Sequence, residues 1–317
     1  MNRGKRTQSA ELEVRLLREG IVESVHHVQA VVADQRGRTL YIAGSPETGA
    51  FIRSALKPFQ ALAVTSTGTL DRYGLNDRDL AIMCASHQGT TVQARQAFNI
   101  LWRSDIEPSA LQCPTPPGKR SPLEHNCSGK HAGMLAVCRQ RNFPLTTYLQ
   151  HNHPVQSLIL SKVSELLRMP SAEFINAHDD CGAPTYFMQL AQMATLYAHL
   201  ASGNSLDLER IVRAMTHHPN LVSGEGGFDS ELMRLSEGEI VSKSGAEGIQ
   251  CVGRVGEGLG LAIKVLDGAK RAKHAAAIYL LKQMGWITPT LEEQLTETFM
   301  ALGQYKRLEV IGELSML

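Results

Sequence analysis

Hydrophobic positions alternate with polar ones near the start of the chain, recur at helical spacing through its middle, and return as short apolar runs after residue 240. The run Val28-Gln29-Ala30-Val31-Val32-Ala33-Asp34, the turn Gln35-Arg36-Gly37 and the run Arg38-Thr39-Leu40-Tyr41-Ile42-Ala43 predict a β-hairpin. Two β-rich runs joined by a short glycine-containing connection reverse the chain in this way. Pro58 lacks an N–H and suits a first helical turn, so a helix is expected over residues 54–65. The apolar run 80–85 is expected as a strand ending at Ser86-His87-Gln88-Gly89, with a helix following over 91–103. Proline and glycine dominate 113–122 and predict a long loop. Helical spacing continues over 130–139, 154–167, 185–201 and 206–216. Strands are expected again at 249–252 and 259–265, then helices at 269–284 and 291–302.

This order places sheet-forming segments at about 20–50 and 235–317 around a helical region at about 90–230. The expectation is an α/β (α+β) fold in which an antiparallel sheet is made from both chain ends. A basic tail over residues 1–10 precedes a single catalytic domain over 11–317.

With 317 residues, 43% of them hydrophobic, the chain is long enough for a large core. Its 32 Lys and Arg against 31 Asp and Glu give a formal charge of +1, which offers no footprint for nucleic acid or an anionic membrane. No apolar run reaches the roughly 18 residues of a membrane span, and the N-terminus has no apolar signal segment. A cytoplasmic location is expected. Lys264, Lys270, Arg271 and Lys273 read as a solvated helix start. Of the six cysteines, Cys84, Cys113, Cys138 and Cys251 lie in or beside apolar stretches and read as small buried residues. Cys127 and Cys181 lie in polar, glycine-containing loops.

Two stretches suggest a hydroxyl nucleophile activated by lysine. In Ser54-Ala55-Leu56-Lys57 the i, i+3 spacing puts hydroxyl and amine on one helix face. Lys243-Ser244-Gly245 precedes paired strands, and S-x-x-K with a downstream K-[ST]-G marks penicillin-binding proteins and β-lactamases. Lysine accepts a serine proton only when burial or a second cation favours its neutral form, and two lysines in one pocket do this for each other.

The segment His125-Asn126-Cys127-Ser128-Gly129-Lys130-His131-Ala132-Gly133-Met134 packs a thiol, an amine and two imidazoles into ten residues. Asp179-Asp180-Cys181-Gly182 brings a second thiol. Two thiolates suit zinc, with Lys130, His125, His131 or water completing a tetrahedron. A glycine-rich loop with a buried cysteine is the plainer alternative.

These segments, together with Val22-Glu23-Ser24, Arg53-Ser54-Ala55-Leu56-Lys57-Pro58, Cys84-Ala85-Ser86-His87, Cys181-Gly182-Ala183-Pro184-Thr185 and Lys243-Ser244-Gly245-Ala246-Glu247-Gly248, occur in the order seen in Rhizobium etli type L-asparaginases. The resemblance covers about residues 20–270. It implies a serine β-lactamase-like fold, L-asparagine as substrate, and a homodimer. It further implies two Ser-Lys pairs, Ser54 with Lys57 and Ser86 with Lys243, and a zinc set of Cys127, Lys130 and Cys181. Arg53, His87, Asn126, Asp180, Gly245 and Glu247 are candidate substrate contacts, and Asp229 is a further acidic candidate. Thr90 departs from the family pattern where an acidic residue is common, and Asp180 departs where glycine is common.

Two other readings remain open: a Ser-Lys amidase or peptidase acting on a different small amide, and a zinc- or redox-responsive binding protein using Cys127 and Cys181. No threonine-nucleophile motif is present. The glycines at 253–260 lack dinucleotide-binding spacing and read as a turn between strands.

Overall fold

The expected hairpin is built on a strand longer than its apolar run. In the computed structural model, which describes residues 8–317, β1 (Leu12–Arg18) and β2 (Ile21–Asp34) precede β3 (Thr39–Ala43) and a short β4 (Gly49–Phe51). The basic tail expected over residues 1–10 lies, through residue 7, outside the described residues. β5 (Ile175–His178) and β6 (Pro184–Gln189) occur mid-chain, and β7 (Ile240–Ser244), β8 (Ile249–Arg254), β9 (Leu259–Val265), β10 (Lys306–Ile311) and β11 (Ser315–Met316) come late. The described residues divide into two compact units.

The first unit comprises the described part of the first 55 residues, Met188–Ser202 and Leu235–Leu317. Its antiparallel sheet runs β10-β1-β2-β9-β8-β7, with β3 pairing both β2 and β11. Strands from the two chain ends meet where Val28 to Asp34 of β2 pair with Val265 to Leu259 of β9. This is the sheet arrangement expected of a β-lactamase-like fold. Consecutive residues of β8 and β9 are buried, which requires cover on both faces. Helices Leu190–Leu200 and Lys270–Gln283 supply it. A Cβ on Gly260 would fall 2.0 Å from Ala194 O, so only glycine lets the first helix lie this close to β9.

The second unit comprises Leu56–Phe187 and Gly203–Arg234 and is mostly helical. Its centre is the helix Ser128–Arg141, buried without interruption from Ser128 to Cys138. A helix covered on every side has no amphipathic stripe. Small residues let its neighbours approach: a Cβ on Gly129 would lie 2.1 Å from Ile82 O.

Several expected elements are corrected. Residues 80–85 are not a strand. Residues 80–83 end helix Asp77–Met83, which begins with a reciprocal capping box between Asn76 and Asp79, and Cys84 caps its C-terminus ahead of Ala85. The helix expected over 185–201 is β6 followed by helix Leu190–Leu200. The helix expected over 54–65 is a 3-10 turn, Arg53–Leu56, and two short helices, Lys57–Gln60 and Leu62–Thr65. Strands do not wait until residue 240, since β5 and β6 form a hairpin in which Ala177 pairs with Thr185. Among the described residues, no helix is long and apolar enough to cross a membrane.

Candidate active site

Lys57 opens a short helix whose second residue is Pro58, and all four of its residues are buried. The amine is 0% exposed. It donates to Ala85 O at 2.6 Å and to Ser86 Oγ at 3.0 Å. Ser86 follows helix Asp77–Met83 and is held by its own backbone, whose N–H donates to Val222 O at 2.8 Å. Serine and lysine thus meet within one unit, far apart in sequence.

His87 is committed to holding the adjoining loop. Its Nδ1 accepts from Gly89 N–H at 3.1 Å and its Nε2 lies 2.9 Å from Ser128 Oγ, which in turn donates to Leu123 O at 2.8 Å. Burial, with smaller contributions from the Lys57 and His125 charges, pushes the His87 imidazole down to about 3, so the ring is neutral. Gly89 has φ of +68°, and a Cβ there would lie 2.3 Å from Glu124 O. Thr90, which departs from the family pattern, caps helix Thr91–Arg103 in a box with Gln93. Asn126 is exposed, and its backbone oxygen accepts from His87 N–H at 3.3 Å.

A second cluster lies at the start of the central helix. Cys127 stands at its N-cap, and Lys130, 3% exposed, places Nζ 3.0 Å from Cys181 Sγ. A hydrogen bond from Cys127 pulls the Cys181 thiol down to about 5; burial opposes this, and the Lys130 charge reinforces it. Burial works against the Lys130 ammonium, but the Cys127 and Cys181 charges outweigh it and raise its pKa. Cys113, read from sequence as a small buried residue, is buried and stands within the field of both thiols, and burial pushes it up to about 12. Asp180 is exposed.

The donors fit a borderline metal. Among the described residues no three His, Cys, Asp or Glu side chains stand together as a metal group; it is the family resemblance that implies the Lys130 amine as a third donor beside the two sulfurs. Such a metal would have to displace the Lys130 proton.

His131, next to Lys130, is 0% exposed, and burial keeps its ring neutral. Its Nδ1 lies 2.7 Å from Tyr148 Oη, a residue that sequence reasoning missed.

The remaining candidates belong to the first unit. Ser54 is half-buried in the 3-10 turn Arg53–Leu56, and Arg53 there has φ of +52°. Lys243 is 0% exposed on β7, with Nζ donating to Ser244 O at 2.8 Å. Its neighbours Ser242 and Ser244 face the other side of the strand, where both bond the buried Gln250 side chain. Gly245 approaches Ile52 O so closely that a Cβ would lie 2.8 Å away. Glu247 is exposed, and its backbone oxygen accepts from Lys264 Nζ at 2.6 Å. Lys273 is not part of a solvated helix start. It is 5% exposed and donates to Gly245 O at 2.7 Å, bracing the Lys243-Ser244-Gly245 turn from helix Lys270–Gln283.

The family model for L-asparaginase II matches residues 14–316. No curated protein matches the chain. Solved structures similar to it include Mglu in its native form in 4.3 M NaCl, at 16% identity over 82% of this chain and 61% of that one, with a TM-score of 0.44. They also include a β-lactamase from Mycobacterium bovis, at 12% identity over 86% of this chain and 95% of that one, with a TM-score of 0.38. A third is a putative β-lactamase from Bacteroides dorei, at 12% identity over 75% and 84%, with a TM-score of 0.41. This chain thus spans less than two thirds of the Mglu chain. The match to the family model runs through both units and nearly the whole length, and the chain belongs to the L-asparaginase II family.

Proposed function

We propose that the protein is an amidohydrolase of the Rhizobium etli type that converts L-asparagine to L-aspartate and ammonia. The observation that carries this reading is the part-buried contact between Lys57 Nζ and Ser86 Oγ in a chain of this family. In the proposed reaction, neutral Lys57 takes the Ser86 proton as Oγ attacks the side-chain amide carbon. The proton then goes to the departing nitrogen, ammonia leaves, and water hydrolyses the acyl-enzyme. The 2.6 Å bond to Ala85 O aims the amine at the neighbouring hydroxyl.

The family resemblance extends the proposal to Ser54 and Lys243, and Arg53, Asn126, Asp180, Gly245 and Glu247 are proposed as substrate contacts. In this structure His87 supports the reading as a loop-holding group beside Ser86, since both ring nitrogens have internal partners. Cys127, Lys130 and Cys181 would hold zinc, which as a Lewis acid would polarise a bound oxygen. The chain's own part is to keep two sulfurs and one amine buried together. A homodimer in the cytoplasm completes the proposal, and sedimentation measures the dimer.

Ammonia release from L-asparagine, L-glutamine and D-asparagine tests the substrate. A Ser-Lys amidase for another amide would prefer a different member of the panel. A binding protein would release none, and its ligand response would survive Ser86→Ala.

A further inference from the structure

Tyr148 and His131 are both 0% exposed. The backbone N–H of Gln112 donates to Tyr148 Oη at 3.0 Å, and Oη lies 2.7 Å from His131 Nδ1. Oη therefore already accepts one hydrogen bond and has a single proton to give. The arrangement that satisfies both groups sends that proton to His131 Nδ1, an assignment made from the hydrogen-bond partners. A neutral imidazole that accepts at Nδ1 carries its own proton on Nε2. Among the described residues, that buried Nε2 has no hydrogen-bond partner.

Buried donors are nearly always paired, so one held in a fixed tautomer and given no acceptor by the chain calls for an acceptor from outside it. The charged groups acting on the ring are those of Lys130, Cys127, His125 and Lys57. His131 also directly follows Lys130 of the thiol cluster on helix Ser128–Arg141. The same tautomer removes His131 from the metal donors, because its two nitrogens are either protonated or bonded to Tyr148.

We infer that His131 is a substrate-binding residue whose Nε2–H donates to an oxygen of the bound small amide or its acid product, while Tyr148 and the Gln112 amide position it. The inference rests on the small-amide reading above. Sequence spacing offered His131 as a possible metal ligand; the Tyr148 contact redirects it.

The test combines nitrogen NMR of histidine-labelled full-length protein with kinetics. The wild type should show the Nε2–H tautomer at His131, and saturating L-aspartate should shift that signal. Tyr148→Phe should let the other tautomer appear. His131→Asn keeps a partner for Tyr148 and deletes the Nε2 donor. It should raise KM for L-asparagine about tenfold with a smaller change in kcat and native circular dichroism. His131→Gln restores an amide N–H near the lost position and should recover part of that KM.

An Nδ1–H tautomer in the wild type overturns the inference. So does an Nε2–H signal that neither L-aspartate nor L-glutamate moves, which is the behaviour of a donor occupied by water alone. An unchanged KM in folded His131→Asn overturns it as well. A wild type that releases no ammonia from L-asparagine overturns the functional reading only, and the response of the Nε2–H signal to the two acids then decides the inference.

Discussion

Lys57 Nζ contacts two consecutive residues, Ala85 through its carbonyl oxygen and Ser86 through its hydroxyl, at 2.6 and 3.0 Å. The carbonyl fixes the amine, and the amine in turn fixes the rotation of the neighbouring hydroxyl. A lysine held in this way has lost its chain entropy in folding rather than in each turnover, which suits it to repeated proton transfer.

If Lys57 and Ser86 act as one unit, Lys57→Met and Ser86→Ala each lower kcat by about 10²–10⁴-fold, the range for a positioned base. The double variant is then no slower than the slower single variant, because residues acting together are not additive. Steady-state kinetics on the three variants measures this, and multiplied losses would separate the two residues. Methionine retains the buried stem of Lys57.

The thiol cluster predicts metal retention. Zinc measured after dialysis is expected at full occupancy in the wild type and at background in Cys127→Ser, Cys181→Ser and Lys130→Met. Because the Lys130 amine must lose a proton to bind, zinc affinity should rise with pH. An affinity independent of pH would remove Lys130 from the ligand set.

Gly129→Ala places a methyl group against Ile82 O, and the backbone of both helices must shift to admit it. Better helix propensity returns about 1 kcal/mol. Overpacking costs about 1–3 kcal/mol, so net destabilisation is expected in urea unfolding. A gain in stability would contradict the close approach of helices Asp77–Met83 and Ser128–Arg141.

His87 makes stability depend on pH. Its folded pKa is about 3 and its ordinary value 6.5, so between these the unfolded chain binds a proton that the folded chain refuses. Stability from this group is fully present above pH 6.5 and is lost as pH falls towards 3, with a slope of up to about 1.4 kcal/mol per pH unit. Urea unfolding of His87→Asn across that window should show a shallower slope than the wild type. Identical slopes would mean that the imidazole is solvated.

Much of the fold was legible in local pattern. The hairpin of β2 and β3 and the helices Thr91–Arg103 and Pro154–Leu167 stand where alternation or helical spacing put them. Residues 80–85 misled because six apolar residues in a row fit a buried strand or a buried helix equally well. The deciding signal was upstream, in the Asn76 and Asp79 capping pair. At 184–189, Thr185, Tyr186 and Phe187 carried a β signal that the helical spacing further along concealed.

For the candidate site, spacing named the residues but not their partners. Ser54-x-x-Lys57 pointed to Lys57, but not to its bonds with Ala85 and Ser86, which only the folded chain brings near. Tyr148 and Lys273 carry no motif, and their roles arise from burial against His131 and Gly245.

The most direct test of the account is ammonia release from L-asparagine, L-glutamine and D-asparagine by zinc-loaded wild type and by Ser86→Ala. The account predicts release that is selective for L-asparagine and abolished in the variant while its fold and zinc remain. Folded, zinc-loaded wild type that releases no ammonia from any of the three, or Ser86→Ala with undiminished release, would contradict it.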